Sequence, residues 1–416
     1  MKSVKYLLIG GGLSSAGAAK KIRQVDPQGS ILIVAAEPHM PYNRPPLDKE
    51  YMQGKKTRGE VFVEDQEFWD GHNIELIVGQ SVLGLDAAGK TANLSDGRSV
   101  AFDKALLATG GRPRRLPIRG GDLPGVYHFR TLDDAIGVSD AAQPGKRAVI
   151  VGGGFIALEL AASLVQRGMT VSLVHRGDRI WSHFADEKLA DFVQDYCRGR
   201  GVNFHMNANV LAVQGNGLAS AVALDNGQAI ACDLVVITAG IELNTGLAAG
   251  AGLAMDNGVI VDEHMQTSHP DIYAAGDIAN FPDPRFGTRR RVEHWGQADY
   301  TGTLAGSNMA GAEAGYDLLT YVWSDVFDLH MEMAGDETAC DETIVRGQPS
   351  AKGFALLHLK GERMTAYYAV NLKKAKYRPL GKLIEQKVNL RGKRRQLEDP
   401  DFDVNDLLAA PAGAGK

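Results

Sequence analysis

The residues best suited to chemistry in this sequence are the glycines of GGGLSSAGAA, residues 10–19. The stretch follows an apolar run at 6–9 and opens a segment of small residues, which predicts a strand, a tight turn and a helix start. Gly10 permits the tight turn, and Gly12 has no side chain to keep a pyrophosphate from the backbone. The helix N-terminus offers unpaired N–H groups and a partial positive charge to such an anion. Ser15 stands at the third glycine position and is small enough for close packing of strand and helix.

An acidic residue ends the second apolar run, ILIVAAE at 31–37. Glu37 lies 27 residues after Gly10, a little beyond the roughly 20 residues typical of a carboxylate that binds a nucleotide ribose. A solvated strand end is the alternative. Prolines in the following PHMPYNRPPLDKEY exclude a regular helix. Because this rigid loop carries Tyr42, Arg44 and Lys49, it is predicted to cover a bound dinucleotide, with an ordered surface loop as the alternative.

A second stretch repeats the first. RAVIVGGGFIALELAASL at 147–164 is again strand, glycine turn and helix, with Gly152, Gly154 and Ala157 at the three motif positions. The closing strands also match, because LSDGRSVAFDKALLATG at 94–110 aligns without gaps with LDNGQAIACDLVVITAG at 224–240. The repetition indicates two related dinucleotide-binding units, one nested after the other. A flavin in one unit and a nicotinamide cofactor in the other is the economical reason for both.

The rest of the chain supplies the elements that must hold these turns. A chain of 416 residues is long enough for two or three domains. Residues 75–100 carry short alternating runs with DAAGK and SDGR turns, which predict an antiparallel hairpin or meander. A helix is predicted over 289–306, and the strand-like runs from position 321 predict a small α+β domain.

Composition excludes several classes of protein. A formal net charge of −5 argues against a general nucleic-acid binder. Cys197, Cys232 and Cys340 form no CxxC pair, so we expect neither a disulfide framework nor a dithiol redox centre, and no metal site is predicted. No uncharged apolar run approaches the ~20 residues of a membrane helix, and the first strand leaves no room for a signal peptide. We therefore expect a cytoplasmic protein.

A basic segment lies near the C-terminus. Residues 371–395 contain ten Lys or Arg and one acid, Glu385, for a local charge of +9, which leaves −14 for the rest of the chain. Such runs are usually solvated faces, and a docking face for an acidic partner is the alternative. The last residues, AAPAGAGK, predict a disordered tail.

Taken together, the motifs resemble those of the FAD-dependent pyridine-nucleotide oxidoreductases, and more closely their ferredoxin-reductase-like branch, which includes ferredoxin, rubredoxin and putidaredoxin reductases and, more distantly, apoptosis-inducing factor. The matching stretches are GGGLSSAGAA, PYNRPPLDK, LLATGGRPR, VGGGFIALELAASL, IYAAGD, VEHWGQA and VWSDVFDL. The resemblance implies an α/β fold with two nested Rossmann-like dinucleotide-binding domains and a C-terminal α+β domain. The implied domains are an FAD domain at 1–113 and 241–320, an NAD(P)H domain at 114–240 and an interface domain at 321–416.

Carried over position by position, the resemblance also implies roles for single residues. Glu37 would hold the ADP half of FAD, and Lys49 would stabilise negative charge on the reduced ring. Glu159 would face the nicotinamide, while Trp295 and Trp323 would lie near the isoalloxazine ring. Core aromatics and a helix-surface acid are the alternatives for the last three. The implied catalytic residues are Lys49, Glu159, Trp295 and Trp323. The implied cofactor-binding residues are Gly10, Gly12, Leu13, Ser14, Glu37, Arg44, Lys49, Thr109, Gly110, Arg130, Gly152, Gly154, Phe155, Ile156, Glu159, His175, Arg176, Gly240, Gly276, Asp277, Glu293, His294, Trp295 and Trp323.

One departure from the family pattern bears on the choice of nucleotide. Relatives that prefer NADH usually carry an acid at the end of the second strand of the NAD(P) unit, whereas this chain has His175 and Arg176 there, followed by Arg179. An acid would repel a 2′-phosphate, and an arginine can bind one through charge-assisted hydrogen bonds. We therefore expect FAD and NADPH or NADH as cofactors, with NADPH favoured.

The resemblance finally implies a reaction. Hydride would pass from NAD(P)H to FAD, and single electrons would then leave to a small redox protein such as a [2Fe–2S] ferredoxin or rubredoxin. A small-molecule reductase of the monodehydroascorbate or quinone type, and a redox-sensing interaction protein of the apoptosis-inducing-factor type, are the alternatives. Neither a membrane nor a nucleic-acid partner is expected, and the protein is expected to be a monomer or homodimer.

Overall fold

The structure of the protein is a computed structural model, and it describes residues 1–181, 186–350 and 352–408. The described chain divides into two compact units. The first consists of Met1–Arg114 and Ile241–Leu318. The second consists of Arg115–Gly240 and the chain from Leu319 onward.

The strands and helices are numbered in chain order. The strands are β1 Lys2–Ile9, β2 Ile31–Ala35, β3 Ile74–Val78, β4 Val82–Asp86, β5 Thr91–Leu94, β6 Ser99–Leu107, β7 Gly111–Pro113, β8 Val126–His128, β9 Arg147–Val151, β10 Thr170–Val174, β11 Val202–His205, β12 Val210–Gly215, β13 Ala219–Leu224, β14 Ala229–Ala231, β15 Leu234–Ile237, β16 Ile241–Leu243, β17 Val259–Ile260, β18 Ile272–Ala274, β19 Ala279–Asp283, β20 Thr288–Arg290, β21 Tyr321–Val326, β22 Leu329–Gly335, β23 Glu342–Arg346, β24 Phe354–Lys360 and β25 Arg363–Val370. The α-helices are α1 Leu13–Val25, α2 Gln66–Gly71, α3 Leu132–Ala141, α4 Phe155–Gln166, α5 Glu187–Gly199, α6 Gly246–Gly250, α7 Trp295–Met309, α8 Lys374–Glu385, α9 Arg394–Glu398 and α10 Asn405–Leu408.

The first unit is built on a seven-stranded sheet in the order β3-β2-β1-β6-β5-β4, with β18 also paired to β6. The central strands are parallel, while β4, β5 and β6 form an antiparallel meander. Every residue of β2 is buried, as expected for a parallel strand covered on both faces. The predicted meander over 75–100 is therefore correct for β4 to β6 and wrong for β3, which lies parallel to β2 at the opposite edge.

Helices α1 and α7 pack together in the first unit through small residues. A Cβ added to Gly302 would lie 2.2 Å from the Ser14 carbonyl oxygen, and one added to Gly306 would lie 2.5 Å from that of Ala18. Because glycine leaves room for the facing backbone at both positions, the two helices approach closely. This packing holds the start of α1, and with it the first glycine turn.

The second unit contains a parallel sheet in the order β11-β10-β9-β15-β8 and an antiparallel sheet of β12, β13 and β14. Its C-terminal part is an antiparallel sheet in the order β21-β22-β25-β24-β23. Helix α8 packs against β25 and β22 of that sheet, and α9 packs against β23. The predicted α/β class, with two Rossmann-like units and a C-terminal α+β region, is confirmed.

The predicted repeat is visible in the strand registers. In the first unit, Ile9 at the end of β1 pairs with Val34 and Leu107. In the second, Val151 at the end of β9 pairs with Val174 and Ile237. Each glycine turn therefore leaves the middle strand of three parallel neighbours at their carboxyl ends, where open α/β sheets bind ligands.

Among the helices of the described chain, none combines the length and the apolar character that crossing a bilayer requires. The same part of the chain holds no group of three or more His, Cys, Asp or Glu side chains arranged to bind a metal ion.

Candidate functional site: two dinucleotide cradles

The first glycine turn has the backbone that a pyrophosphate cradle requires. Gly10 has φ +126°, and an added Cβ would lie 2.2 Å from the Ala108 carbonyl oxygen. Its N–H donates to Val34 O at 2.9 Å. Gly12 is the N-cap of α1 in extended conformation, and a Cβ there would meet nothing within 4 Å. The turn is thus tight at Gly10 and open at Gly12.

The helices that follow both glycine turns begin differently from their neighbours. Neither α1 nor α4 has a side chain that caps its first turn or an acid within it. By contrast, Thr131 caps α3 and Asp186 caps α5. A helix N-terminus needs acceptors for its free N–H groups, so α1 and α4 are left suited to an external anion.

Glu37 lies at the same edge of the first sheet and is held by the loop that follows it. Tyr42 donates its hydroxyl to Glu37 Oε2 at 2.6 Å, and Arg44 donates to Oε1 at 3.0 Å. Burial opposes the charge of Arg44, but Tyr42, Glu37 and Asp277 outweigh it and raise its pKa. Two partners thus orient the Glu37 carboxylate, whose side chain is 32% exposed, and its role in binding a ribose remains a prediction.

The proline-rich loop also carries a buried cation and a contact to α7. The Lys49 side chain is 9% exposed, and its Nζ lies 3.5 Å from Asp48 Oδ1. Asn43 accepts a hydrogen bond from Trp295 Nε1 at 3.0 Å. The loop is thereby fixed to the start of α7, and Trp295 is only partly buried, unlike a core aromatic.

Two further strand ends reach the first cradle. Gly276 follows β18 with φ +72°, and a Cβ there would lie 2.6 Å from Ser14 Oγ. Its N–H donates to Thr301 Oγ1 at 3.0 Å. After β6, Thr109 donates its hydroxyl to Asn244 O at 2.6 Å, and Asn244 Nδ2 donates back to Thr109 O at 3.0 Å. These contacts fix the ends of β18 and β6, and the one at Gly276 brings β18 against the start of α1.

The start of α7 differs from the prediction. The helix begins at Trp295 rather than at 289, because β20 extends to Arg290 and His294 is the N-cap, accepting from Gly296 N–H at 3.3 Å. Glu293 therefore lies before the helix and pairs with Arg291 at 2.6 Å. Gln297 is buried in the first turn, where its Oε1 accepts from Tyr316 at 3.0 Å.

The second cradle repeats the first. Gly152 has φ +145°, and a Cβ there would lie 2.3 Å from Thr238 Oγ1. Gly154 is the N-cap of α4, with nothing within 4 Å of an added Cβ. Phe155 opens the helix, and its ring centroid lies 5.1 Å from that of Trp181. Ile156 is the next residue of α4. Gly240, with φ +84°, is the last residue of the segment Arg115–Gly240 of the second unit, after which the chain returns to the first unit.

The end of β10 carries the residues predicted to choose the nucleotide. His175 packs on the glycine turn, because a Cβ added to Gly153 would lie 2.6 Å from its ring Nδ1. Arg176 is exposed. Arg179 pairs with Asp191 at 2.9 Å and with Glu187 at 2.8 Å, and the hydrogen bond that Arg179 donates to Asp191 raises the pKa of the guanidinium. Arg179 is thus engaged within the protein, and Arg176 is presented to solvent.

Glu159 connects α4 with the C-terminal sheet inside the second unit. Glu159 is buried. Its Oε1 accepts one hydrogen bond from the Ser324 hydroxyl at 2.7 Å and another from the Asp325 N–H at 3.1 Å. The alternative of a helix-surface acid is therefore wrong. Trp323, the neighbour of Ser324, is partly buried. Arg130 lies in the same unit at the start of α3, where its backbone N–H donates to Asp134 at 3.0 Å.

Several residues that build these cradles carry no local sequence signal. Asn244 is 135 residues from its partner Thr109, and Ser324 is 165 residues from Glu159. Tyr316 and Thr301 are likewise defined only by tertiary contacts. Asn43 is the exception, because it lies within the PYNRPP stretch that the resemblance already marked.

The cysteines take no part in either cradle. Cys197 and Cys232 are buried, and burial raises the pKa of Cys197 to about 12 and that of Cys232 to about 11. Cys340 is partly buried, and all three are free thiols. Reactive thiolates need a lowered pKa, whereas burial raises the pKa of all three thiols.

Comparison with known proteins agrees with this geometry. The family model for pyridine nucleotide-disulphide oxidoreductases matches residues 4–302, and the model for the reductase C-terminal domain matches residues 321–408. The chain therefore belongs to the pyridine nucleotide-disulphide oxidoreductase family, as an FAD-dependent oxidoreductase that uses NAD(P)H. Within the family its relatives place it in the ferredoxin-reductase branch, so the predicted resemblance is confirmed.

Three relatives illustrate the similarity. The chain is 33% identical over 411 residues to a probable ferredoxin reductase, CtmF, of Castellaniella defragrans, covering 97% of this chain and 98% of the relative. It is 31% identical over 371 residues to putidaredoxin reductase CamA of Pseudomonas putida, covering 88% of each. A crystal structure of a covalent putidaredoxin reductase–putidaredoxin complex superposes with a TM-score of 0.93 at 28% identity, covering 100% of both chains.

Proposed function

We propose that the protein passes a hydride from NAD(P)H to FAD and then single electrons to a small iron–sulfur protein of the [2Fe–2S] ferredoxin type. The observation that carries this proposal is the pair of uncapped helix starts, each at the carboxyl edge of its own parallel sheet. Relatives named ferredoxin reductases span nearly the whole chain, which supports the acceptor class.

The residues of the first unit fit FAD. Open space beyond Gly12 and the free N–H groups of α1 suit a pyrophosphate, and the oriented Glu37 suits a ribose. When bound, FAD supplies the chemistry that no side chain can, accepting a hydride and releasing electrons singly.

The protein's own contribution is positioning and charge. Lys49 holds a buried positive charge that favours negative charge beside it. The Asn43–Trp295 hydrogen bond fixes the loop that carries Lys49. In the second unit, Gly154 and the start of α4 would hold the nicotinamide nucleotide, and Glu159 would face its reactive end. Positioning by these residues would supply most of the acceleration of hydride transfer.

We further propose a preference for NADPH. Arg176 is exposed at the strand end that carries no acid, so it is available to a 2′-phosphate. Several relatives carry NAD+ in their names, and one from a Sphingomonas species carries NAD(P)+. The proposed preference for NADPH therefore distinguishes this chain from the relatives named for NAD+.

The nucleotide preference is tested by substitution. Arg176→Gln should lower kcat/KM for NADPH about tenfold or more while leaving that for NADH unchanged, because one charge-assisted hydrogen bond contributes about 1.5–3 kcal/mol. Arg179→Gln is the matched control and should have the smaller effect, since Arg179 is held by two carboxylates. Equal or better turnover of the unsubstituted protein with NADH at low concentration would contradict the preference.

The acceptor class is tested by cytochrome c reduction with and without an added [2Fe–2S] ferredoxin. A rate that rises steeply and saturates with ferredoxin is expected. Rapid reduction of quinones or ferricyanide without any effect of ferredoxin would assign a small-molecule acceptor instead. A cytoplasmic location, a monomer or homodimer and the three-domain division at 113/114, 240/241 and 320/321 remain predictions.

A further inference from the structure

One buried carboxylate of the second unit is held by a strand that lies far away in the sequence. Glu159 is 5% exposed and belongs to α4, the helix that begins at the second glycine turn. Its Oε1 accepts hydrogen bonds from the Ser324 hydroxyl and from the Asp325 N–H, both on β21. Burying a carboxylate is costly unless donors such as these satisfy it. The two hydrogen bonds therefore fix the position of the Glu159 carboxylate.

Ser324 is oriented by its strand to act as one of these donors. Side chains alternate between the two faces of a strand, so Ser324 points away from the face that carries its neighbours Trp323 and Asp325. Ser324 is completely buried, and α4 packs against β21. A hydroxyl group that is removed from water needs a hydrogen-bond partner, and for Ser324 that partner is Glu159 at 2.7 Å.

The second donor is available because β21 lies at the edge of its sheet. The strand order is β21-β22-β25-β24-β23, and an edge strand has backbone N–H groups that pair with no neighbouring strand. The Asp325 N–H donates to Glu159 at 3.1 Å. The Asp325 side chain is itself held, since its Oδ1 lies 2.7 Å from His330 Nδ1 on β22. Both donors to Glu159 thus belong to a strand whose position is fixed.

The place of Glu159 along α4 relates these contacts to the second cradle. Glu159 comes five residues after the Gly154 N-cap and four after Phe155, so it lies on the same side of the helix as Phe155, one turn further on. At about 1.5 Å per residue, five residues span about 7.5 Å. The carboxylate is therefore within reach of a nucleotide whose pyrophosphate binds at the glycine turn.

We infer that Ser324 is a positioning residue for hydride transfer, because it holds Glu159 where the carboxylate orients the nicotinamide end of the bound nucleotide. This inference rests on the proposed function and gives the C-terminal sheet a part in nucleotide binding. A carboxylate accepts hydrogen bonds, and the nicotinamide ring carries a carboxamide that can donate them. Loss of the Ser324 hydroxyl frees the carboxylate to turn, so the ring should bind less tightly and with poorer alignment.

The test removes this hydroxyl and compares the effect with that of a second buried hydroxyl in the same sheet. Ser324→Ala is set against Thr365→Val, which removes the hydroxyl that donates to the His358 carbonyl oxygen at 3.3 Å. Calorimetric titration of each FAD-loaded protein gives the dissociation constants of NAD(P)+ and of the corresponding ADP-ribose, which lacks the nicotinamide ring. Stopped-flow spectroscopy gives the rate of flavin reduction by NAD(P)H.

For Ser324→Ala we expect the dissociation constant of NAD(P)+ to rise about tenfold and the rate of flavin reduction to fall about tenfold, since a hydrogen bond to a charged group is lost. The dissociation constant of the ADP-ribose should change less than twofold, a difference that general damage to the fold would not produce. Ser324→Thr keeps the hydroxyl and should recover most of the loss. Thr365→Val should leave all three quantities within twofold of the unsubstituted protein.

A double-mutant cycle with Glu159→Gln tests whether Ser324 acts through Glu159. Once Glu159 has been changed, Ser324→Ala should have little further effect on the binding of NAD(P)+, so the two effects should not add. Ser324→Cys, whose thiol is a weak donor, repeats the measurements should the alanine variant fold poorly.

Additive effects in the cycle, or an equal weakening of NAD(P)+ and ADP-ribose binding, would overturn the inference while leaving the reductase function intact. A Ser324→Ala protein that binds and reacts like the unsubstituted protein would do the same. If neither NADH nor NADPH reduced the flavin of the unsubstituted protein, the proposed function would fail, and the role of Ser324 with it.

Discussion

Gly10 and Gly12 stand two residues apart in the same turn and resist substitution for different reasons. A Cβ at Gly10 would overlap the Ala108 carbonyl oxygen, and the positive φ is strained for any other residue. A Cβ at Gly12 would enter open space. The first residue is thus required by the fold, and the second by what approaches the helix N-terminus.

We therefore expect Gly12→Ala to fold normally and bind FAD at least tenfold more weakly, since its methyl group meets the pyrophosphate. Gly10→Ala should instead lower the stability of the apoprotein by about 2 kcal/mol or more. FAD dissociation constants of the apoproteins and their urea unfolding curves separate the two effects. Wild-type affinity for FAD in Gly12→Ala would refute the assignment of this turn.

Arg346 is a buried guanidinium that acts through backbone carbonyls. It is 4% exposed and donates to the carbonyl oxygens of Gln396 at 3.0 Å, Leu397 at 3.1 Å and Phe402 at 2.6 Å. Burial lowers its pKa, against the opposing influence of Asp399 and nearby acids. One side chain thus ties the end of α9 and the chain beyond it to β23.

Arg346→Met should lower the free energy of unfolding by about 2–4 kcal/mol, because several buried carbonyls lose their donor. Arg346→Lys should recover part of the loss, since an ammonium keeps the charge but reaches fewer carbonyls. Urea unfolding followed by circular dichroism measures both. An ordinary surface substitution changes the free energy of unfolding by about 0.5 kcal/mol or less. A loss no larger than this in the methionine variant would show that the hydrogen bonds of Arg346 contribute little to stability.

At the scale of elements, strands β21 and β22 are joined by a titratable pair. His330 Nδ1 lies 2.7 Å from Asp325 Oδ1, directly across the two strands. Glu332 on the same strand and Lys374 from α8 also face the ring, and the Asp325 hydrogen bond is the main reason that the His330 pKa is raised. The imidazolium form is therefore favoured in the folded protein.

The pKa of His330 is higher in the folded protein than in the unfolded protein, where it is about 6.5. The charged ring therefore stabilises the folded protein fully at pH values below this unfolded pKa. That stabilisation is lost as the pH rises through the folded pKa. Because the His330 side chain is 44% exposed, we expect a loss on the order of 0.5 kcal/mol. Unfolding free energies between pH 5.5 and 8.5 should show this decline in the unsubstituted protein and not in His330→Gln. Identical pH profiles would count against the pair.

Elements were predictable from sequence where local pattern and tertiary role agree. The strand–turn–helix units around Gly10 and Gly152 follow from apolar runs and glycine spacing alone. The prediction was wrong for β3, because an edge strand in a parallel sheet has the same short alternating pattern as a hairpin strand. It was also wrong for the start of α7, where β20 and the His294 cap are set by tertiary pairing.

At the scale of the whole molecule, the internal repeat carried most of the predictive information. The gapless match between 94–110 and 224–240 corresponds to β6 and β15, which occupy equivalent positions beside β1 and β9. The links within each unit were not predictable. The Glu159–Ser324 hydrogen bond joins residues 165 positions apart, and no periodicity or motif encodes such a pairing.

The same repeat makes a prediction about the whole chain, namely that the two cradles take different ligands. Hydrogen exchange of the FAD-loaded protein should show NADP+ protecting residues 154–158 and leaving residues 12–16 unchanged, whereas removal of FAD should expose 12–16. Saturation at about 100 times the dissociation constant stabilises a site by about 2.7 kcal/mol, which is measurable as slower exchange. Gly154→Ala should abolish the NADP+ effect and keep FAD, and Gly12→Ala should do the reverse. If NADP+ instead protected 12–16, the assignment of flavin to the first unit and nicotinamide to the second would have to be exchanged.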